Sequence, residues 1–483
     1  MSADPTDASE AELGRMLSTL YEREPRLRPD PQLHDYPLTY PPAVALERDP
    51  SAQVPPSEDA LLEDGVGDFT GGGLYFHFGF CRYRCRYCFH YELTTKPDVD
   101  LQTRYVATLD RAMQRFSRLT SARVKYALYF LGGGTPTALP TDLLNRFLGS
   151  LLLWHGRPRT SMSTVEAKPI TATDDKLRAL VSAGFRRINL GVQTFDPELY
   201  AFHHHGESLR VAYDAIERAR RAGFEWVNVD LMTGLENQSD GSFDRTLAET
   251  ERLARTGAID SCFLYPYHDD PRRKTFGQPG TVPSFVSTAH TDARLRRLMQ
   301  RLGWKELGAR FYRSPRHVRR ELLELARVRI SPAYGESLYH GYGNSAFSIG
   351  DRATYLNHRS AVRYCEDVEA GGLGIASWRT LSARERATRD VSFDLLYSPV
   401  TRLRSRSRKY GASAVERHRT LLSRWEALGL GEQHRLLGTF SLSGLGKLVH
   451  QQMIPWHYED QHRAELHQTQ LVRLELGRRY RGY

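Results

Sequence analysis

The sequence predicts an α/β protein: a partial (β/α)6 barrel of the TIM type, with an N-terminal extension and a smaller, mainly helical C-terminal domain. Three observations carry this expectation. From residue 74 onward, short apolar runs alternate with amphipathic stretches, the pattern of parallel βαβ units. The alternation passes through six cycles and stops near residue 285. The residues fitted for chemistry fall at the ends of the apolar runs, where barrel sites are built.

Residues 1–70 are rich in Pro, Asp and Glu and read as a flexible or wrapping lead, with HDYPLTYPPAVAL its clearest structural hint. The barrel is expected over 71–285. LYFHF (74–78) is its first strand, and VDLQTRYVATLDRAMQRFSRL (99–119) follows with helical spacing. ALYFLGGG (127–134) is a strand running into glycines, and TDLLNRFLGSLLLW (141–154) a helix. STVEAKP (163–169) is the third strand. The helix after it, TDDKLRALVSAG, has Thr173 as N-cap and Gly184 past its end. RINLGVQT, EWVNVDLMTGL and IDSCFLYPY complete the strands, separated by the helical SLRVAYDAIERARRAG and SFDRTLAETERLARTG. Residues 286–380 form a barrel-flanking segment with the helix TDARLRRLMQRLGW and a glycine-rich part; 381–483 are expected to be helices with a short hairpin near LGTFSLSGLGKLVHQQM.

The chain has 483 residues, 40% hydrophobic and 26% charged, with a net charge of +10. The arginines are dispersed rather than massed, which argues against nucleic acid and leaves an anionic ligand or a solvated surface. No secretory leader and no apolar run of membrane-spanning length is visible, so a cytoplasmic protein is expected, without a membrane partner. Five cysteines are too few for a disulfide scaffold.

Three of the five are Cys81, Cys85 and Cys88, in GFCRYRCRYCFHY directly after the first strand. Structural zinc takes four ligands, which His90 would complete. An iron–sulfur cube has four iron corners, and three thiolates leave one open. S-adenosylmethionine (SAM) can chelate that iron through its amino and carboxylate groups. An electron from the cluster then breaks the S–C5′ bond and frees a 5′-deoxyadenosyl radical, so the cofactor carries the hard chemistry. The Cys-x3-Cys-x2-Cys spacing, with Tyr87 before the last cysteine, is the signature of radical SAM enzymes. The interleaved arginines either temper an anionic cluster or are simply solvated.

Other strand ends agree. Gly132, Gly133 and Gly134 leave bare backbone for the methionine amino group, and Pro136 fixes the turn that follows. Glu166, Gln193 and Asp230 close strands three, four and five. A buried acid needs a partner, either a sulfonium, amine or ribose, or else a structural arginine. Cys262 and Cys365 read as small core residues.

LYFHFGFCRYRCRYC, LGGGTPTALP, VEAKP, RINLGVQTFDPEL and VDLMTGL, in that order, resemble the oxygen-independent coproporphyrinogen III dehydrogenase family, the HemN-like radical SAM proteins. The likeness runs from about 35 to 460. It implies SAM contacts by Tyr75, Tyr87, Gly133, Gly134, Thr135, Glu166, Gln193, Asp230 and Phe347. It also implies room for a second SAM, lined by Pro266, and a low-potential donor such as flavodoxin or ferredoxin. The expected partner is a small-molecule substrate, and the expected state a monomer.

Three departures stand out. Phe89-His90 replaces the Gly-Cys that follows the third cysteine in the family's porphyrinogen enzymes. FHHHGES places His205, beside His203 and His204, where those enzymes carry arginine. Glu236 stands in place of a proline. A histidine can be neutral near pH 7 and accept a proton, where an arginine supplies a fixed cation. These changes direct the expectation to one-carbon transfer, methylation or cyclopropanation on a natural product, with His90 and His205 handling protons. Oxidative decarboxylation of coproporphyrinogen III, a haem-binding chaperone and a zinc-bound module are the alternatives.

Overall fold

A computed structural model of the chain describes residues 5–29, 40–49, 52, 56–66, 72–88, 94–95, 97–120, 126–204, 206–267, 280–308, 310–319, 338–458, 460 and 462–463. Six parallel strands form the barrel wall in sequence order: β1 (Gly73–Phe78), β2 (Leu128–Gly133), β3 (Thr164–Ala167), β4 (Arg187–Gln193), β5 (Trp226–Thr233) and β6 (Ser261–Pro266). Helices α1 (Val99–Leu119), α2 (Thr141–His155), α3 (Asp174–Ser182), α4 (Arg210–Ala222) and α5 (Asp240–Arg255) connect them, and α6 (Phe285–Arg301) follows β6.

Alternation along the strands decides which face meets what. Ile188, Leu190 and Val192 of β4 and Val227, Val229 and Leu231 of β5 enter the core shared with the helices. The intervening Asn189, Gly191 and Gln193, and Asn228, Asp230 and Met232, belong to the opposite, lumenal face. The apolar positions thus hold the barrel together, and the polar ones are left for the site.

The sheet continues beyond the six units. β7 (Phe311–Arg313) runs antiparallel to β6. On the other edge β8 (Tyr339–Tyr342) lies parallel to β1, followed by antiparallel β9 (Phe347–Ile349), β10 (Ala353–Asn357) and β11 (Ile375–Thr380). The strand order is linear from β11 to Lys305–Glu306, so among the described residues the barrel does not close. The segment after 285, read from sequence as a flank, supplies strands to the same sheet.

Within the N-terminal lead, read from sequence as flexible or wrapping, one segment is a helix packed on the C-terminal part. Glu10–Arg23 is a helix opened by a capping box in which Ser9 and Glu12 satisfy each other's backbone N–H groups. Its Leu13, Leu17 and Leu20 fall on one face and enter a second core with Val391, Leu422 and Trp425 of the C-terminal helices. The helix ends at Glu24, a buried carboxylate paired with Arg26 at 2.6 Å and Arg424 at 2.5 Å. Leu17→Ala is expected to cost about 2–4 kcal/mol, read as a lower midpoint in urea with an unchanged slope.

Helices α7 (Ala383–Tyr397), α8 (Leu403–Tyr410), α9 (Ala412–Ala427) and α10 (Gly444–Met453), with the hairpin Gly431–His434/Thr439–Leu442, form the C-terminal part. Glu306 joins it to the barrel, receiving Lys447 at 2.6 Å and Arg296 at 3.3 Å. Cys262 and Cys365 are core residues; burial raises both thiols. Among the described residues, no helix is long and apolar enough to cross a membrane.

Candidate active site

The three-cysteine loop leaves the end of β1 and is stitched to the glycine turn after β2. The N–H of Gly134 donates to Phe78 O at 2.7 Å and that of Thr135 to Phe80 O at 2.9 Å. The Thr135 hydroxyl lies 3.1 Å from Cys81 Sγ. The Cys88 N–H donates to Cys85 O at 3.1 Å, turning the chain between those thiols. Cys81 and Cys85 are buried, and Cys88 is partly exposed. Burial pushes the Cys81 thiol up, while Lys168 and the Thr135 hydroxyl pull it down. Lys168 also donates to Tyr83 O at 2.9 Å and sits 3.9 Å from the Tyr83 ring centre, which anchors the loop's first half.

Gly133 turns at φ +101°, and a Cβ there would meet the His77 ring at 2.8 Å. A Cβ at Gly132 would meet Glu166 Oε2 at the same distance. Both positions therefore require glycine for the close approach of His77, Phe130 and Glu166 beside the thiol loop. Gly133→Ala is expected to destabilise the protein by about 1–3 kcal/mol through the left-handed backbone and the collision, seen as a lower Tm.

Glu166 and Asp230 are half-buried on the lumenal face. Burial raises Glu166 to about 8, Asp230 adds to the rise, and a Gly133 backbone hydrogen bond lowers it. Burial raises Asp230 to about 7, opposed by Asn228, whose amide donates to Oδ1 at 2.7 Å, and by Arg187. The structural-arginine reading of Asp230 is thus met in part. Two acids share one lumen, each short of the charge that would hold it ionised.

Gln193 closes β4 at φ +70°, where the pairing with β5 slips between Gly191 and Gln193. Its amide donates to Tyr87 OH at 3.3 Å, which brings a residue of the cysteine loop over the strand ends. A non-glycine residue held in this conformation at a site is stored strain. The Tyr87 ring packs beside Leu199, Met232, Leu235 and Tyr267, and lies 6.1 and 5.5 Å from the His203 and His204 rings. Tyr75 on β1 bonds His77 Nδ1 at 3.0 Å and packs on Phe130. Pro266 ends β6 opposite Thr233, and Phe347 opens β9 within the second core. The structure sets Tyr87 beside Gln193, and Gly133, Gly134 and Thr135 beside the cysteine loop, with Glu166 next to that turn; Tyr75 lies mid-strand, and Asp230, expected to close β5, stands three residues short of its end. His90 and His205 lie outside the described residues.

Among the described residues, no group of three or more His, Cys, Asp or Glu side chains is set to receive one metal ion. Zinc requires such convergence on a point. A cube is less demanding, since each thiolate takes a different iron. The donor set, three soft thiols and no fourth, fits the cluster. The bare glycine backbone and the unmatched acids fit a zwitterionic, cationic ligand such as SAM.

Sequence reasoning missed the supports of the loop: Lys168 under Tyr83, and Arg86, whose guanidinium lies 4.1 Å over the Phe202 ring. Both lie inside motifs already quoted, VEAKP and the cysteine loop, but their ring partners are distant in the chain.

The radical SAM superfamily sequence model matches residues 75–249. The oxygen-independent coproporphyrinogen III oxidase of Bradyrhizobium diazoefficiens is 24% identical over 330 residues, 67% of this chain and 72% of that protein. The heme chaperone HemW of Bacillus subtilis is 33% identical over 168 residues, 34% of this chain but only 43% of its own length. The coproporphyrinogen III oxidase HemN of Escherichia coli, a radical SAM enzyme, shares the fold with a TM-score of 0.72 at 19% identity, covering 87% of this chain and 96% of that one. Fold, loop and sequence match together define a radical SAM enzyme. Within that superfamily the chain is similar to HemN- and HemW-type proteins. The activities named for these relatives are porphyrinogen oxidation and haem chaperoning.

Proposed function

We propose that Cys81, Cys85 and Cys88 hold a [4Fe–4S] cluster, that SAM binds across the adjoining strand ends, and that the enzyme abstracts hydrogen from an organic small molecule. Oxidative decarboxylation of coproporphyrinogen III is the reaction its relatives favour. Cluster and SAM together supply a 5′-deoxyadenosyl radical; the chain's own residues bind, orient and shield. Gly133 and Gly134 offer backbone to the methionine end, and Glu166 and Asp230 offer carboxylates to its cationic and hydroxyl groups. Tyr87 and Gln193 close over the strand ends and exclude water. The observation that carries the reading is the three-thiol loop stitched to the glycine turn after β2, with the lumenal carboxylate of Glu166 beside that turn.

A second reading, transfer of a one-carbon unit from SAM to an sp² carbon, rests on His203 and His204, packed against Tyr87 of the cluster loop.

One anaerobic assay separates the two. Reconstituted protein, reductant and methyl-labelled SAM are incubated with coproporphyrinogen III, and products are read by mass spectrometry. Vinyl groups formed with 5′-deoxyadenosine support decarboxylation. Label carried into the product supports one-carbon transfer. An intact cluster that yields no 5′-deoxyadenosine contradicts both.

A further inference from the structure

Glu236, the residue that stands in place of proline, joins three segments around the cysteine loop. It lies between β5 and α5 and is 5% exposed. Its main-chain oxygen accepts from His203 Nε2 at 3.0 Å. Its Oε1 accepts the Gly280 N–H, on the approach to α6. Its Oε2 stands 3.7 Å from Arg86 Nε. Asn237 reinforces the join: its N–H donates to Thr281 O at 2.7 Å and its side-chain oxygen receives the Thr281 N–H at 2.9 Å. Arg86 lies between Cys85 and Cys88. Its N–H donates to His203 O at 3.3 Å, and its guanidinium is held between the Phe202 ring and the Glu236 carboxylate. A proline at 236 has no carboxylate to offer either Arg86 or Gly280.

We infer that Arg86 and Glu236 form a charge-compensated positioning pair, which fixes the turn carrying the last two cluster cysteines and sets the electrostatic potential that the cluster feels. This deepens the proposed function and rests on its cluster. The guanidinium is one residue from the Cys85 ligand, in surroundings from which water is largely removed. There it favours the reduced, more negative cluster. The Glu236 carboxylate opposes that effect and, through Phe202 and His203, keeps the guanidinium in place.

The pair makes a sign prediction that a purely structural role does not. Glu236→Gln keeps size and an acceptor for Gly280 but removes the anion, so the midpoint potential moves positive. Arg86→Gln removes the cation, so it moves negative. The double variant returns toward the wild-type value. The measurement is an anaerobic redox titration of the reconstituted proteins, followed by the electron paramagnetic resonance (EPR) signal of the reduced cluster, with iron and sulfide determined in each. Shifts of one sign in both single variants, or no shift with the cluster intact, overturn the inference. If Glu236→Gln accepts no cluster, Arg86→Gln decides alone: an unmoved or more positive potential overturns it. Wild-type protein that holds no cluster defeats the proposed function itself. Wild-type protein with a cluster whose EPR signal responds to SAM, beside variants of unchanged potential, defeats only this pair.

Discussion

Alanine at Cys81, Cys85 or Cys88 will reduce 5′-deoxyadenosine formation to background while the chain remains folded. Each substitution removes one thiolate from a site with no spare, and two thiolates do not hold a cube against loss to solvent. The fold has little stake in the sulfurs. The loop is held by the Gly134 and Thr135 N–H bonds to Phe78 and Phe80, by Lys168 on Tyr83 and by Gln193 on Tyr87. Removing one sulfur from a buried position costs about 1 kcal/mol or less by burial area. The expected result is near-native circular dichroism and Tm in the apo form, with iron content and SAM cleavage lost. A variant that retains both would show that another ligand carries the metal.

The second large effect concerns the acid pair. Asp230→Asn is expected to weaken SAM binding on the order of 10–100-fold, as removal of one member of a buried charge pair does. The pH dependence follows from the raised carboxyls. Unfolded, they ionise near 4. In the folded apo protein Glu166 titrates at about 8 and Asp230 at about 7, burial being the main cause in both. Between about pH 4 and 8 the folded state therefore binds more protons, and by linkage these groups make apo stability fall as pH rises. A cationic ligand reverses the preference, because it favours the ionised acids and expels their protons. SAM affinity should therefore rise with pH up to about 8, by roughly tenfold per unit for each proton released, the Asp230 contribution levelling off above about 7 and that of Glu166 above about 8. In Asp230→Asn the Glu166 titration moves down, since a like-charged neighbour is gone. Calorimetry in buffers of different ionisation enthalpy counts the protons directly. SAM binding without proton release at pH 7 would contradict the assignment.

What the sequence disclosed was what repeats or lies close together in the chain. The six strands were legible because short apolar runs alternate with helical stretches from residue 74 to about 267. The cysteine loop was legible because its three ligands fall within eight residues. Asp230 announced itself as an acid inside an apolar run. The helix Glu10–Arg23 was hidden by a lead rich in Pro, Asp and Glu, although Leu13, Leu17 and Leu20 keep helical spacing and Ser9 and Glu12 form a capping box. The positive φ of Gln193 depends on a slipped register with β5, and no local composition encodes it. The Arg86–Glu236 contact joins segments far apart in the chain, so Glu236 remained only an unexplained departure until the loop was seen folded.

The proposed open iron corner is most directly tested by pulsed EPR of the reduced protein with SAM labelled by ¹⁵N in its amino group and ¹⁷O in its carboxylate. Hyperfine coupling to both nuclei is expected, because three cysteines leave one iron to be chelated by the methionine end. An iron–sulfur signal indifferent to the labels, from a cluster bound at every corner by the polypeptide, would contradict it.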